Sequence, residues 1–150
     1  MKKLWKAELD LRANLQRRLP KMARKYFSEG RKALQEGTSW DEMHQFRLQT
    51  KRFRYTLELF RPLFGPGLEH RIESLRKVQS YLGEVNDSIV TSELLESVDN
   101  TEAIRTELAD RAAKKTGKLR EYWVEAFDAP GAEEKWTRYL AQFACRTTGS

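Results

Sequence analysis

Residues 39–64 read SWDEMHQFRLQTKRFRYTLELFRPLF, and this stretch does most to constrain the fold. Ser39 and Glu42 stand in the S-x-x-E arrangement of a capping box, in which each residue satisfies a free amide at a helix start. No Gly or Pro follows until Pro62. At about 100° per residue, Phe46, Phe53, Leu57, Phe60 and Phe64 fall on one stripe of the resulting helix. His44, Arg47, Lys51, Arg54 and Tyr55 fall roughly opposite, with Arg52 projecting to the side. One face suits a core and the other suits an anion.

Solvated helices also carry charge on their outer face, and that reading explains a basic stripe equally simply. Three features favour an anion site here. Glu58 is the stripe's only carboxylate, whereas helices stabilised by charge pairs mix signs. Two arginines present planar forks that match phosphate oxygens. His44 and Tyr55 are polar rings, unusual on a plain solvated face. Leu48 and Leu59 flank the stripe, so it is expected to face a crevice between helices.

The spacing H-x-x-R-x-x-x-K-R-x-R-Y, formed by His44, Arg47, Lys51, Arg52, Arg54 and Tyr55, resembles the signature of the CHAD family, the conserved-histidine α-helical domains. A second stretch, LRKVQSYLGEVND at residues 75–87, resembles the family's L-x-x-L-Q-x-x-L-G-x-x-x-D segment, with Val78 where Leu is common. The resemblance implies an all-α fold and binding of inorganic polyphosphate in a basic groove or pore. No cofactor and no metal are expected. Family members commonly contain two related helical halves. This chain has one His-containing motif and room for one bundle, so it reads as a half-length form, expected to pair with itself as a homodimer.

The chain of 150 residues suits a single helical domain spanning residues 1–150, and its 33% charged and 39% apolar residues favour a compact soluble protein. No apolar run reaches the roughly 18 residues of a membrane span. The first residues, MKKLWKAELDLRANL, lack the apolar core of a signal peptide. Cys145 is the only cysteine, which excludes an intramolecular disulfide and offers no metal cluster. The cytoplasm is the expected compartment. The net charge of +6 is polarised: residues 1–77 carry +10 and residues 78–150 carry −4. Such a field attracts polyanions without choosing among polyphosphate, nucleic acid and lipid headgroups.

The pattern predicts an antiparallel all-α bundle of about five to six helices. A first helix over 4–35 is expected to kink or divide at Pro20, because an internal proline removes a backbone bond. Its Lys21, Arg24 and Lys25 could line a groove opposite Arg47 or simply face water. A third helix over 68–82 should bury Leu68, Ile72, Leu75, Val78 and Leu82, and end at Gly83. Gln79 falls within that apolar stripe and needs a hydrogen-bond partner. Lys77 adjoins it. Asp87 is read as an N-cap for a following short helix, and the resemblance adds a second role, bracing a basic side chain. Residues 101–126 and 132–144 complete the set, with Ile104, Leu108, Leu119, Trp123 and Phe127 at or near helical spacing along the former.

His44, Arg47, Lys51 and Arg54 would form a ladder roughly 15 Å long, which suits a linear polyphosphate better than a single phosphate. Enzyme motifs are missing: no G-x-x-x-x-G-K-[ST] loop, H-E-x-x-H pair or G-x-S-x-G elbow occurs. Two other readings stay open. His44 could carry a phosphoryl group, as in histidine phosphotransfer bundles. The basic stripe could bind single-stranded nucleic acid, although stacking platforms need exposed aromatics and Tyr55 is the stripe's only one.

Overall fold

The computed structural model describes residues 11–148, with side chains described over 13–142. Five α-helices follow one another: α1 (Leu11–Ala33), α2 (Trp40–Leu59), α3 (Pro66–Leu94), α4 (Glu102–Ala126) and α5 (Ala132–Thr148), with a short 3-10 turn (Arg61–Leu63) after α2. Residues 4–10 of the expected first helix lie outside the described residues.

The capping box at Ser39 and Glu42 opens α2, with the Ser39 side chain accepting from the Glu42 amide and the Glu42 side chain from the Ser39 amide. Pro66 opens α3 in its first turn, where its missing N–H costs nothing. Turns at Gly37 (φ 84°) and Gly131 (φ 79°) use the left-handed conformation that glycine adopts without penalty.

Packing follows the order α4–α3–α2–α1–α5. Contacts reveal the antiparallel sense. Arg54 reaches Gln79 while Arg61 pairs with Glu69, so α3 runs back along α2. Lys115 pairs with Glu84 at 2.8 Å and Tyr122 meets Tyr81, which sets α4 against α3 in the same way. Lys115 thus joins two helices.

The core gathers Tyr26 and Phe27 of α1, Phe46, Phe53 and Leu57 of α2, the stripe from Leu68 to Leu82 of α3, and Leu119, Trp123 and Phe127. Trp123 stacks on Phe127 at 4.4 Å and meets Tyr26, Phe27 and Phe46. Gly30 makes the approach of α1 to this indole feasible: a Cβ there would lie 2.2 Å from Trp123 Cη2.

The expected helix end at Gly83 does not occur, and the first helix does not divide at Pro20. α1 continues through Pro20. The proline forfeits one backbone bond, but Leu15, Leu19, Ala23, Tyr26 and Phe27 are buried on either side of it. Burial of Leu15, Leu19 and Phe27 contributes about 1.5–3 kcal/mol each, enough to hold the helix together. α3 likewise runs through Gly83 to Leu94, because Leu82, Val85 and Ser88 continue its buried stripe. A helical glycine costs only about 1 kcal/mol relative to alanine. Asp87 consequently sits in mid-helix and caps nothing.

Ile104 keeps helical spacing with the buried Leu119 and Trp123 yet is itself 50% exposed. The 29 residues of α3 reach past the 20 of α2, by roughly 13 Å at 1.5 Å per residue. The α3–α4 end therefore projects, leaving Leu94, Val98 and Ile104 exposed.

Candidate functional site, a basic groove between α2 and α3

The helical wheel dictates how the basic stripe divides. From Arg47, Arg54 is displaced by only about 20° in one direction, Lys51 by about 40° in the other, Tyr55 by about 80° and Arg52 by about 140°. Arg47 and Arg54 turn towards α3, and the rest rotate outwards. The result is a groove of about 530 Å³ in which Arg47 and Arg54 face Arg76, Lys77, Gln79 and Ser80 of α3, with Glu73 on its wall.

Within the groove the cations are held unequally. Arg54 Nε donates to Gln79 Oε1 at 2.8 Å, Nη1 donates to Glu58 Oε2 at 2.6 Å, and the guanidinium lies 4.6 Å from the Tyr55 ring centroid. Gln79 thus receives the partner its place in an apolar stripe demanded. Arg76 donates to Glu73 at 3.0 Å and to Glu58 at 3.1 Å. The hydrogen bond to Glu73, aided by the charges of Glu58 and Glu73, raises the Arg76 pKa above its ordinary value.

Arg47 differs. It is half-buried, its Nε is shielded from solvent without a hydrogen-bond partner, and it makes no ion pair among the described residues. Lys77 rests over the Tyr122 ring at 5.0 Å, also without an ion pair among the described residues. Leaving a shielded guanidinium Nε without an acceptor is costly. Arg71, whose pKa burial lowers, shows how an unpaired arginine can instead be purely structural. Its Nη1 donates to the Gly67 carbonyl, and its guanidinium lies 4.1 Å from the Tyr139 ring centroid.

The other sequence-predicted residues lie elsewhere. Lys51, Arg52 and Tyr55 line an open outer face of α2 beside Leu48 and Leu59. Those leucines are 37% and 73% exposed, so that face is no crevice. Lys21 and Lys25, with Arg18 and Arg52, rim a separate cleft of about 240 Å³ between α1 and α2, floored by Met22, Tyr26 and Phe53. Arg24 lies with Arg17 and Arg138 between α1 and α5. His44 is half-buried one turn before Arg47, with its Nδ1 shielded and unpartnered and its ring 5.9 Å from Trp40. Asp87 is exposed and braces no basic side chain among the described residues.

Sequence reasoning missed Arg76 and the reach of Glu58. Arg76 stands three residues before Gln79 and so shares its helix face, a signal available once Gln79 was singled out. No group of three or more His, Cys, Asp or Glu side chains among the described residues is arranged to hold a metal. No helix among them is long and apolar enough to cross a membrane.

A family model described as CHAD domain matches residues 2–96, a span that includes α1, α2 and α3. Both walls of the groove fall within the matched span. Neither the curated proteins nor the solved structures yield a match.

Proposed function

The chain belongs to the CHAD domain family, and on that premise we propose that it binds inorganic polyphosphate, or a similar polyanion, in the groove between α2 and α3, without transforming it. The observation that carries this reading is Arg47, a guanidinium with a shielded, unpartnered Nε and no carboxylate partner among the described residues, set beside Arg54, Arg76 and Lys77. Four cations lining one groove match a ligand that repeats its charge. Phosphate oxygens supply the acceptors that Arg47 lacks, and a guanidinium–phosphate pair is charge-assisted and often bidentate.

The ladder is shorter than the helix periodicity suggested, since His44 and Lys51 do not line the groove and Arg52 faces outwards beside Lys51. Lys51, Arg52 and the α1 lysines lie on neighbouring surfaces, where a long chain leaving the groove would meet further positive potential. Tyr55 packs against Arg54 and serves as its support in this account, which leaves the groove poor in stacking platforms for bases.

Isothermal titration of long-chain polyphosphate into the wild type and into the double variant Arg47→Ala/Arg54→Ala tests the proposal. Charge-assisted bonds contribute about 1.5–3 kcal/mol each, so affinity should fall by roughly a hundredfold or more with the fold retained. Wild-type affinity in the double variant would remove the site from this groove. Stronger binding of single-stranded RNA than of polyphosphate at equal charge and salt would overturn the ligand class.

A further inference from the structure

Three guanidinium groups converge on one carboxylate oxygen. Glu58 Oε2 accepts from Arg54 Nη1 at 2.6 Å and from Arg76 Nη2 at 3.1 Å, and Arg61 Nη2 lies 4.0 Å away. Arg76 Nη1 is also engaged, by Glu73. The α2 and α3 walls are therefore tied together by a resident anion, and two of the groove's four cations are already compensated.

Two roles for Glu58 would leave the same contacts. It could hold Arg54 and Arg76 in pose for a ligand, or it could compete with the ligand for them. The surroundings of Arg54 decide between these. Its Nε is fixed by Gln79 and its plane is supported by the Tyr55 ring, so two contacts orient it without Glu58. A phosphate approaching Arg54 or Arg76 meets the Glu58 charge within a few ångströms and must share or displace its hydrogen bonds. Like charge so close is repulsive in any dielectric. Competition therefore outweighs positioning.

Resting on the polyanion reading above, we propose that Glu58 is an internal competitor: its carboxylate occupies the guanidinium donors of Arg54 and Arg76 until a phosphate chain displaces it, setting the threshold for entry into the groove. Bound phosphates exchange with the carboxylate at these two arginines, while Arg47 and Lys77 accept phosphate without such exchange.

The test is Glu58→Gln, which removes the charge and keeps a carbonyl acceptor of the same shape. Pyrophosphate and long-chain polyphosphate serve as probes, titrated at several salt concentrations alongside Glu73→Gln and Arg47→Ala/Arg54→Ala. Removing one nearby negative charge should tighten binding of both probes in the Glu58 variant by between about threefold and about tenfold. The slope of log affinity against log salt should steepen as more cations are free to exchange counterions. Glu73 is 69% exposed, so its variant should change affinity less, through solvent screening.

Weaker binding by Glu58→Gln, with its unfolding midpoint kept, would assign Glu58 to positioning and overturn the proposal. An equal gain from Glu73→Gln would reduce the effect to net charge and also overturn it. Wild-type affinity in the double arginine variant would instead reject the groove itself, so the two failures are distinguishable.

Discussion

Replacing Gly30 by alanine should destabilise the protein, although helix propensity alone predicts the reverse. The new Cβ would lie 2.2 Å from Trp123 Cη2 and 2.5 Å from Cζ2. Restoring ordinary contact requires the indole to retreat by about 1.3–1.8 Å. It has nowhere to go, because Phe127 stacks on it at 4.4 Å and its Nε1 donates to Asp128 at 3.0 Å. Overpacking of this kind costs about 1–3 kcal/mol, and a weakened indole hydrogen bond adds about 1 kcal/mol. Alanine returns about 1 kcal/mol of helix propensity. The net expectation is a loss of about 1–3 kcal/mol, or roughly 2–10 °C in Tm for a chain this size. Gly83 supplies the control, since nothing lies within 4 Å of a Cβ built there. Gly83→Ala should gain up to about 1 kcal/mol. Urea unfolding of both variants measures the pair. A Gly30→Ala midpoint at or above wild type would refute the close approach of α1 and α4 on which the core is built.

Other consequences concern Tyr26 and Asp87. Thr50 donates its one hydroxyl proton to the Phe46 carbonyl at 2.9 Å, so the Tyr26 hydroxyl is the donor in their 2.9 Å bond. Burial raises the Tyr26 pKa above its ordinary value of 10.0. Its contribution is thus fully present below about pH 10 and lost above it, as unfolded tyrosine ionises. Tyr26→Phe should cost about 0.5–1.5 kcal/mol at neutral pH, and the gap should shrink by up to about 1.4 kcal/mol per pH unit above 10. A gap independent of pH in unfolding experiments would contradict the buried phenol. Asp87→Ala should leave polyphosphate affinity within about twofold of wild type, because an exposed carboxylate without a basic partner is largely screened. A marked loss in titration calorimetry would restore its bracing role.

Where local chemistry and packing agree, the fold is legible in the chain itself. Ser39 and Glu42 announce α2, and the spacing from Leu68 to Leu82 identifies the buried face of α3. The discrepancies come where tertiary contacts outweigh a local signal. Pro20 and Gly83 are helix breakers by propensity, yet both lie within apolar stripes whose burial is worth more than the bond or entropy they forfeit. Ile104 keeps helical spacing but has no neighbour to cover it, since relative helix lengths cannot be read from one helix's pattern.

The site follows the same rule. The seven-residue separation of Arg47 and Arg54 puts them on one line whatever packs opposite, so their convergence is legible. The destinations of Lys51, Arg52 and Tyr55 depend on where α3 crosses α2, which periodicity within α2 does not specify. Arg76 and the triple contact at Glu58 emerge only when two helices are brought together. Leu48 and Leu59 gave a misleading hint of a crevice, since apolar side chains are common on exposed surfaces.

The most direct test of the groove is an NMR titration that follows the arginine Nε–Hε resonances as polyphosphate is added to the intact protein. The account predicts that the Arg47, Arg54 and Arg76 signals shift first and saturate together, with Arg18 and Arg24 little changed at low ligand. Early shifts confined to the α1 arginines, with the α2–α3 set unmoved, would contradict it.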